Sequence, residues 1–571
     1  MPAPPEGPEK VQPLGGPRPI APFQPKEPVG RMQRGEKVAW TLLLVFATLF
    51  RLYQLNVKPL HHDESIHANF CYVLANTGEY RYDPVYHGPV QYAMVAGTFR
   101  LFDQIIHAIG ADPRRYSGAN DFTSRLPAAL GGVGLVAMAM LLRQRFGRAT
   151  AFAAGVLMAF SPNYLYTTRF CREDVWNLLG TCGAMLFLDL WWRGGKLRHL
   201  AYGAFWLAIA FAAKENFYVS LALLAPTAFF YALFEKGRGL GVFGRRRPVL
   251  DFLERHTLAI AGGRCLFFGV AELLYTAFLH HPDSGNPARD AILYWWDQHK
   301  KERVGGPKTY YLPRILMYEF AIMLPAFWEA WRRRKTLMGA ERFLFWFGIS
   351  SLGMYAYLGE KTPWLLVHQV FPFIPLAAVW WARAGRTVLS LASETSAEVP
   401  GKPLWKLATA GTAVTMAVLT LLSAISLCFL YPALTPSIDK AESVIYVQTT
   451  PETRDLAYEI RRAEGPDPLA YVDGQAGWPL VWYLRGLPVM WEFKDDGRKP
   501  LFVIVDDTRL DEVGKLLGPG YRGTLMPLRA WWIPEHKLSP LEPTPGELLK
   551  YLFTRTPWKN ADGFNGIGAQ N

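Results

Sequence analysis

Apolar runs long enough to cross a bilayer recur through the first 430 residues of this 571-residue chain. A span needs ~17–25 such residues, and about eleven fit: roughly 38–56, 123–142, 149–168, 175–192, 198–213, 216–234, 257–279, 312–330, 342–358, 364–382 and 405–431. With 50% hydrophobic and only 19% charged residues, the composition excludes an ordinary soluble protein. The chain reads as a polytopic α-helical membrane protein. Its net charge of +13 sits largely in short loops between runs, so nucleic acid is not an expected partner.

The loops alternate in character. Residues 1–36 form a proline-rich tail, expected to be disordered, and "RQRFGR", "WWRGGKLRH", "GRRRPVL", "WRRRK" and "WARAGR" follow at alternate turns. By the positive-inside rule these are cytoplasmic, in a multi-pass protein of the plasma membrane. Segments 57–122, 168–174, 214–215, 280–311 and 359–363 then face outward, as does everything after 431. Within the first outer loop, 90–109 has the spacing of an amphipathic helix in the interface plane. The membrane domain is expected over 37–431, and 432–571 as a small soluble α/β domain with strands at 444–447, 469–473 and 501–506. That domain has no glycine-rich phosphate loop, which favours docking or substrate selection over catalysis. The sequence shows no matched pair of broken helices.

Ionisable residues gather in four outward loops. "HHDESIHANF" at 61–70 sets Asp63 and Glu64 beside His61, His62 and His67, and "YDPVYHGPVQY" follows with Tyr86 and His87. His62 and His67 are five apart, ~140° around a helix, so a zinc-protease motif fails. "RFCREDVW" supplies Arg172, Glu173 and Asp174; "AKEN" supplies Lys214 and Glu215; "GEKTPWLLVHQ" supplies Glu360, Lys361 and His368. Each loop alone reads as a solvated helix end or local ion pair; four together favour a shared site. Trp295, Trp296 and His299 in 280–311 offer stacking surfaces for a sugar or membrane-interface anchors. The five cysteines have no C-x-x-C spacing; Cys71 and Cys171 are either two free thiols or a conceivable pair.

No nucleotide-binding loop is present, so a transferase facing outward needs a donor delivered through the membrane. A lipid-linked sugar phosphate meets that need. Arg172, Lys214 and Lys361 would hold its phosphate, and a carboxylate would take a proton from an acceptor hydroxyl. Tyr86, His62, His87, His368, Glu360, Trp295, Trp296 and His299 would line the substrate.

These motifs, with the amphipathic outer loop and the outer C-terminal domain, resemble the GT-C membrane glycosyltransferases. That superfamily includes protein O-mannosyltransferases and aminoarabinose transferases. "HHDESIHANF", "YDPVYHGPVQY", "RFCREDVW", "YWWDQHKKERVGGPKTYY" and "GEKTPW" are similar to a prokaryotic branch associated with flippase activity. The resemblance implies a GT-C fold, a polyprenyl-phosphate sugar donor, and a glycan, lipid or protein acceptor. It implies a catalytic base at Asp63, with Glu64 the alternative, and a second acidic site at Glu173 and Asp174. Some relatives hold a divalent metal with such acids, which would be Asp63, Glu173 and Asp174 here. A flippase or flippase accessory for lipid-linked glycans is the alternative to the enzyme.

Overall fold

The computed structural model describes residues 30–112, 116–234, 254–281, 285–298, 308–337, 339–393, 404–430, 442–494, 497–530, 544–556, 558 and 564–570. Helices cover most of the described residues of each apolar run, beginning with Arg34–Leu52 and ending with Leu404–Ile425. Among the described residues, Asp121–Phe146, Thr257–Tyr275, Pro363–Ser393 and Leu404–Leu430 are long and apolar enough to cross a membrane unaided. Other runs are charged at their ends or divided into shorter helices.

Two divisions face each other, against the expectation of unbroken runs. Helix Arg148–Phe160 stops at Ser161 and resumes as Pro162–Thr167, because Pro162 lacks an N–H and disfavours helical backbone at the residue before it. Tyr311–Tyr318 breaks at Glu319 before Phe320–Arg332. The Glu319 carboxylate accepts from Ser161 Oγ at 2.7 and 2.9 Å and from the Asn163 amide at 3.2 Å. The break in one helix thus satisfies donors freed by the break in the other.

The long loop after the first helix folds as helices His62–Thr77 and Pro89–Ala108, joined through a short turn at Pro84–Tyr86. The second helix buries Val90, Tyr92, Val95 and Phe99 and exposes Leu101 and Ile105, the two-faced pattern read from its sequence.

The C-terminal region carries one mixed sheet of β1 (Gln448–Thr449), β2 (Ala470–Val472), β3 (Val489–Met490), β4 (Phe502–Asp506), β5 (Gly523–Ala530) and β6 (Phe564–Gln570). Their order is β1-β5-β6-β4-β2-β3, with β2 parallel to β3 and β4 and the other pairs antiparallel. Residues 444–447 are not a strand, as their β-branched composition had implied. Val444 and Ile445 are buried against the membrane domain, and Val447 has φ +48°, which ends any extended run there.

The sheet is not tethered loosely. Leu60, Ala68, Tyr92 and Phe99 of the long loop after the first helix share one apolar core with Leu456, Ile460, Leu480 and Trp482. Inside that seam Asp121 accepts from Trp482 Nε1 and from Tyr483 OH, each at 3.0 Å. Asp121→Ala would leave two buried donors without an acceptor, costing about 2–4 kcal/mol. Hydrogen exchange should then show helix Pro451–Arg462 and the sheet opening more readily while helix Asp174–Gly194 keeps its protection. Unchanged exchange in the C-terminal region would refute this docking role.

Candidate active site

Helix His62–Thr77 is started by a reciprocal cap. The Asp63 amide donates to His61 Nδ1 at 3.0 Å, and the His61 amide donates to Glu64 Oε2 at 2.8 Å. With Nδ1 accepting, the His61 proton lies on Nε2, which donates to the Tyr446 carbonyl. Burial pushes His61 down to about 4, so the ring is neutral at pH 7.

The cap separates the two adjacent acids. Glu64 is fully buried and accepts from Arg125 Nε at 2.8 Å, Arg125 Nη2 at 2.6 Å and the Cys171 amide at 2.7 Å, besides His61. Burial alone would raise its pKa, but Arg125 and these amides hold it low. A carboxylate so enclosed has no face for a substrate, so Glu64 organises the loop. Asp63 instead keeps 27% of its side chain exposed and pairs with the buried Arg172 through Nη1. Burial opposes its ionisation, and Arg172 overcomes that, holding Asp63 well below the usual carboxylate range.

Arg172 is the hub. Its guanidinium lies 4.4 Å from the centroid of the Trp364 ring, and Nη2 donates to His87 Nε2 at 3.3 Å. Its Nε is 3.8 Å from Asp174 and 4.0 Å from Glu173. It is thus buried within ion-pair distance of both sequence neighbours, while its direct bond goes to Asp63. Burial would lower the Arg172 pKa, but Asp63, Glu173, Asp174 and Glu360 around it hold it up.

The remaining partners exchange relative to sequence expectation. Lys214 binds Asp174 rather than Glu215, at 2.9 Å to both carboxylate oxygens, and His368 Nε2 approaches the same carboxylate at 3.2 Å. Burial opposes charge on Asp174, and Lys214 and His368 hold it well below the usual range. Glu215 takes His87 Nδ1 at 2.6 Å. Glu173, with no exposure, faces His67 Nδ1 at 3.1 Å, and burial raises its pKa despite the surrounding cations. His67 also lies 2.8 Å from Tyr92 OH, whose proton goes to the Tyr86 carbonyl.

The turn carrying His87 rests directly on the end of helix Leu197–Ala213. The Gly88 amide donates to the Ala213 carbonyl at 3.1 Å, and a Cβ on Gly88 would lie 2.2 Å from the Ala212 carbonyl oxygen. Only glycine allows that approach.

Several expected site residues lie elsewhere. Lys361, expected as a phosphate ligand, directs its ammonium at the carbonyls of Tyr355, Ala356 and Leu358, closing helix Gly339–Tyr357. Trp295 packs against the apolar core and Trp296 is 69% exposed; among the described residues neither makes a ring contact or hydrogen bond with the cluster. Tyr86 packs edge-on to Phe70, with centroids 4.8 Å apart. Glu360 is half-buried within electrostatic reach of Arg172. His299 lies outside the described residues. Cys71 and Cys171 are buried free thiols.

The C-terminal region contributes residues that sequence reasoning missed. Arg529 of β5 donates to the Trp478 carbonyl at 2.7 Å and lies within electrostatic range of both Asp63 and His62. His62 is pushed down to about 4, chiefly by burial and then by Arg529. An isolated arginine in a strand carries no motif; Trp364, directly after "EKTP", was within a motif already singled out.

The carboxylates do not fit a divalent metal in this arrangement. Lys214 occupies both oxygens of Asp174, Arg172 holds Asp63, and Glu173 is enclosed beside His67. A metal needs two or three free oxygens converging; protein cations occupy Asp63 and Asp174, and of the three acids only Glu173 keeps buried oxygens without a hydrogen-bond partner.

Comparison with known proteins places this geometry in context. Residues 115–250 match the family described as dolichyl-phosphate-mannose-protein mannosyltransferase. The structure of ArnT from Cupriavidus metallidurans bound to undecaprenyl phosphate superposes with a TM-score of 0.55 at 15% identity, covering 93% of this chain and 98% of that one. The Archaeoglobus fulgidus oligosaccharyltransferase tethered to an acceptor peptide gives 0.51 at 11% identity, over 84% and 70%. No curated protein matches the sequence. The chain shares the fold of these two structures, as its resemblance to GT-C membrane glycosyltransferases implies.

The buried neutral histidines give this region a pH signature. With folded pKa values near 4 against ~6.5 unfolded, His61 and His62 bind protons in the unfolded chain first as pH falls. Their contribution to stability is full above about 6.5 and is lost on descending toward 4. Melting of the purified protein at intervals from pH 7 to 4 should show that decline, and His61→Gln should flatten it. An equal slope in wild type and variant would exclude His61 as a source.

Proposed function

We propose that this chain is a membrane glycosyltransferase that moves a sugar from a polyprenyl-phosphate donor to an acceptor hydroxyl on the extracytoplasmic face, with inversion. The observation that carries this reading is the Asp63–Arg172 pair: an ionised, partly exposed carboxylate held by a buried guanidinium where outer loops converge. The ArnT fold relative holds undecaprenyl phosphate and the archaeal relative an acceptor peptide, which supports lipid-donor and acceptor partners of these classes.

The donor phosphate competes with Asp63 for Arg172, and bidentate capture by guanidinium is a strong contact. Asp63, released from part of that pairing, accepts the proton of the acceptor hydroxyl through a carboxylate oxygen. The acceptor oxygen attacks the anomeric carbon from the face opposite the phosphate as the carbon–oxygen bond to phosphate breaks. Polyprenyl phosphate leaves with the bonding electrons, and Arg172 stabilises its added charge. Lys214 and His368 keep Asp174 ionised, while His87 and Trp364 keep the Arg172 plane in place.

Transbilayer movement of lipid-linked glycans is the second reading, and the facing helix breaks at Ser161 and Glu319 favour it. Charge nonetheless concentrates around Asp63, which supports chemistry there. Release of free polyprenyl phosphate from candidate donors separates the readings. Asp63→Asn should lower turnover ~10²–10⁴-fold with donor binding nearly intact. Arg172→Ala should weaken donor binding or turnover about tenfold or more, the loss of one charged contact. Glu64→Gln should instead cut the yield of folded protein, since breaking a buried pair costs about 3–5 kcal/mol. Full turnover by Asp63→Asn would end the assignment of the base. No transfer from any donor, with lipid movement present, would favour the second reading.

A further inference from the structure

We infer that helix Thr257–Tyr275 carries a binding site for an anionic glycerophospholipid, with Arg264 receiving the phosphate and the adjacent groove an acyl chain. The helix lies at the edge of the bundle, with Ala271 and Tyr275 its only buried residues. It runs parallel to Leu197–Ala213: Gly263 lies against Leu200, and Tyr275 OH reaches the Phe211 carbonyl at 3.5 Å. The latter helix ends at Lys214, in the candidate active site. Arg264, level with Leu200, is therefore toward the opposite surface of the membrane domain.

Beside Arg264 is a cavity of about 270 Å³, lined by Leu188, Leu200, Ala204, Leu207 and Phe267. Its wall is otherwise apolar, which suits a hydrocarbon chain. Arg264 itself is exposed and, among the described residues, has neither hydrogen bond nor ion pair. A guanidinium on a lipid-facing helix is costly unless it reaches the headgroup layer or meets an anion. Seven residues from the helix start place it ~10 Å along the axis, within reach of that layer by snorkelling. Lipid phosphate supplies the missing anion.

The neighbouring turn has matching character. Arg193, Lys196 and Arg198 flank it, and Trp191 meets His256 edge-on at 5.6 Å, an aromatic pair suited to a headgroup boundary. Asp189, one turn before Arg193, is already bonded by Arg193 at 2.9 Å and Arg145 at 3.2 Å. The patch is thus cationic toward an approaching lipid. Its separation from Asp63 and Arg172 argues for a bilayer phospholipid rather than the sugar donor.

Native mass spectrometry of the full chain tests this after exchange into micelles containing phosphatidylglycerol, phosphatidylcholine or polyprenyl phosphate. Wild type should retain phosphatidylglycerol over phosphatidylcholine. Arg264→Gln should lower that retention about fivefold, the size of one basic side chain's attraction to an anionic lipid surface. Gly263→Phe, which fills the groove with Arg264 intact, should also lower it, and Arg264→Gln, at an exposed position, should melt as wild type does. Equal phosphatidylglycerol retention by wild type and Arg264→Gln would overturn the proposal. So would preferential retention of polyprenyl phosphate that Arg264→Gln abolishes.

Discussion

The half of the structure that carries the candidate site hangs on the buried ion pair between Glu64 and Arg125. Burying two charges is expensive unless every lone pair and donor is met, and here the surroundings meet them. Glu64 takes two bonds from Arg125 and one each from the amides of His61 and Cys171. Arg125 spends its other donors on the carbonyls of Leu55, Lys58 and Pro59 at 2.7–2.9 Å. One pair therefore ties the end of the first helix, the start of helix His62–Thr77 and the loop carrying Arg172. Gln448 adds the C-terminal sheet by donating to the Pro59 carbonyl at 2.9 Å. Asp63, one residue along and ~100° around the helix, faces away from this knot and toward Arg172.

That geometry shows how much could be read from sequence. The helices followed from apolar runs because helix formation there is a local matter of satisfying backbone groups within hydrocarbon. The gathering of "HHDES", "YHGP", "RFCRED", "AKEN" and "GEKTPW" into one neighbourhood followed from their shared position at helix ends. Partner identity did not. Lys214 precedes Glu215 in the chain, yet consecutive side chains diverge, so Lys214 meets Asp174 and Glu215 meets His87. The separate roles of Asp63 and Glu64 depend on Arg125, 61 residues beyond Glu64. The place of Lys361 has a local cause: a lysine just past a helix end finds that helix's open carbonyls. Arg529 and the break at Glu319 had no sequence signal because both arise from contact between distant segments.

The charge inventory of the cluster bears on what can enter it. Asp63, Glu173, Asp174 and Glu215 stand against Arg172 and Lys214, with His67, His87 and His368 between them. If all four acids were ionised and the histidines neutral, the cluster would repel a phosphate. Two features reduce that repulsion. Burial raises Glu173 and so favours its neutral form, and Arg529 adds a cation from the C-terminal sheet on the Asp63 side.

On the proposed reading, this makes the C-terminal sheet part of the electrostatics of transfer as well as a cover. Arg172 cannot serve Asp63 and a phosphate at full strength together, so donor arrival weakens the pairing that keeps Asp63 a poor base. A carboxylate held far below its usual pKa is a reluctant proton acceptor. Moving Arg172 toward the phosphate raises the basicity of Asp63 at the moment a leaving group is in place. The link between the two side chains thus couples donor binding to activation of the acceptor, and only the Arg172 side chain, held in the turn before helix Asp174–Gly194, has to shift for the coupling to operate.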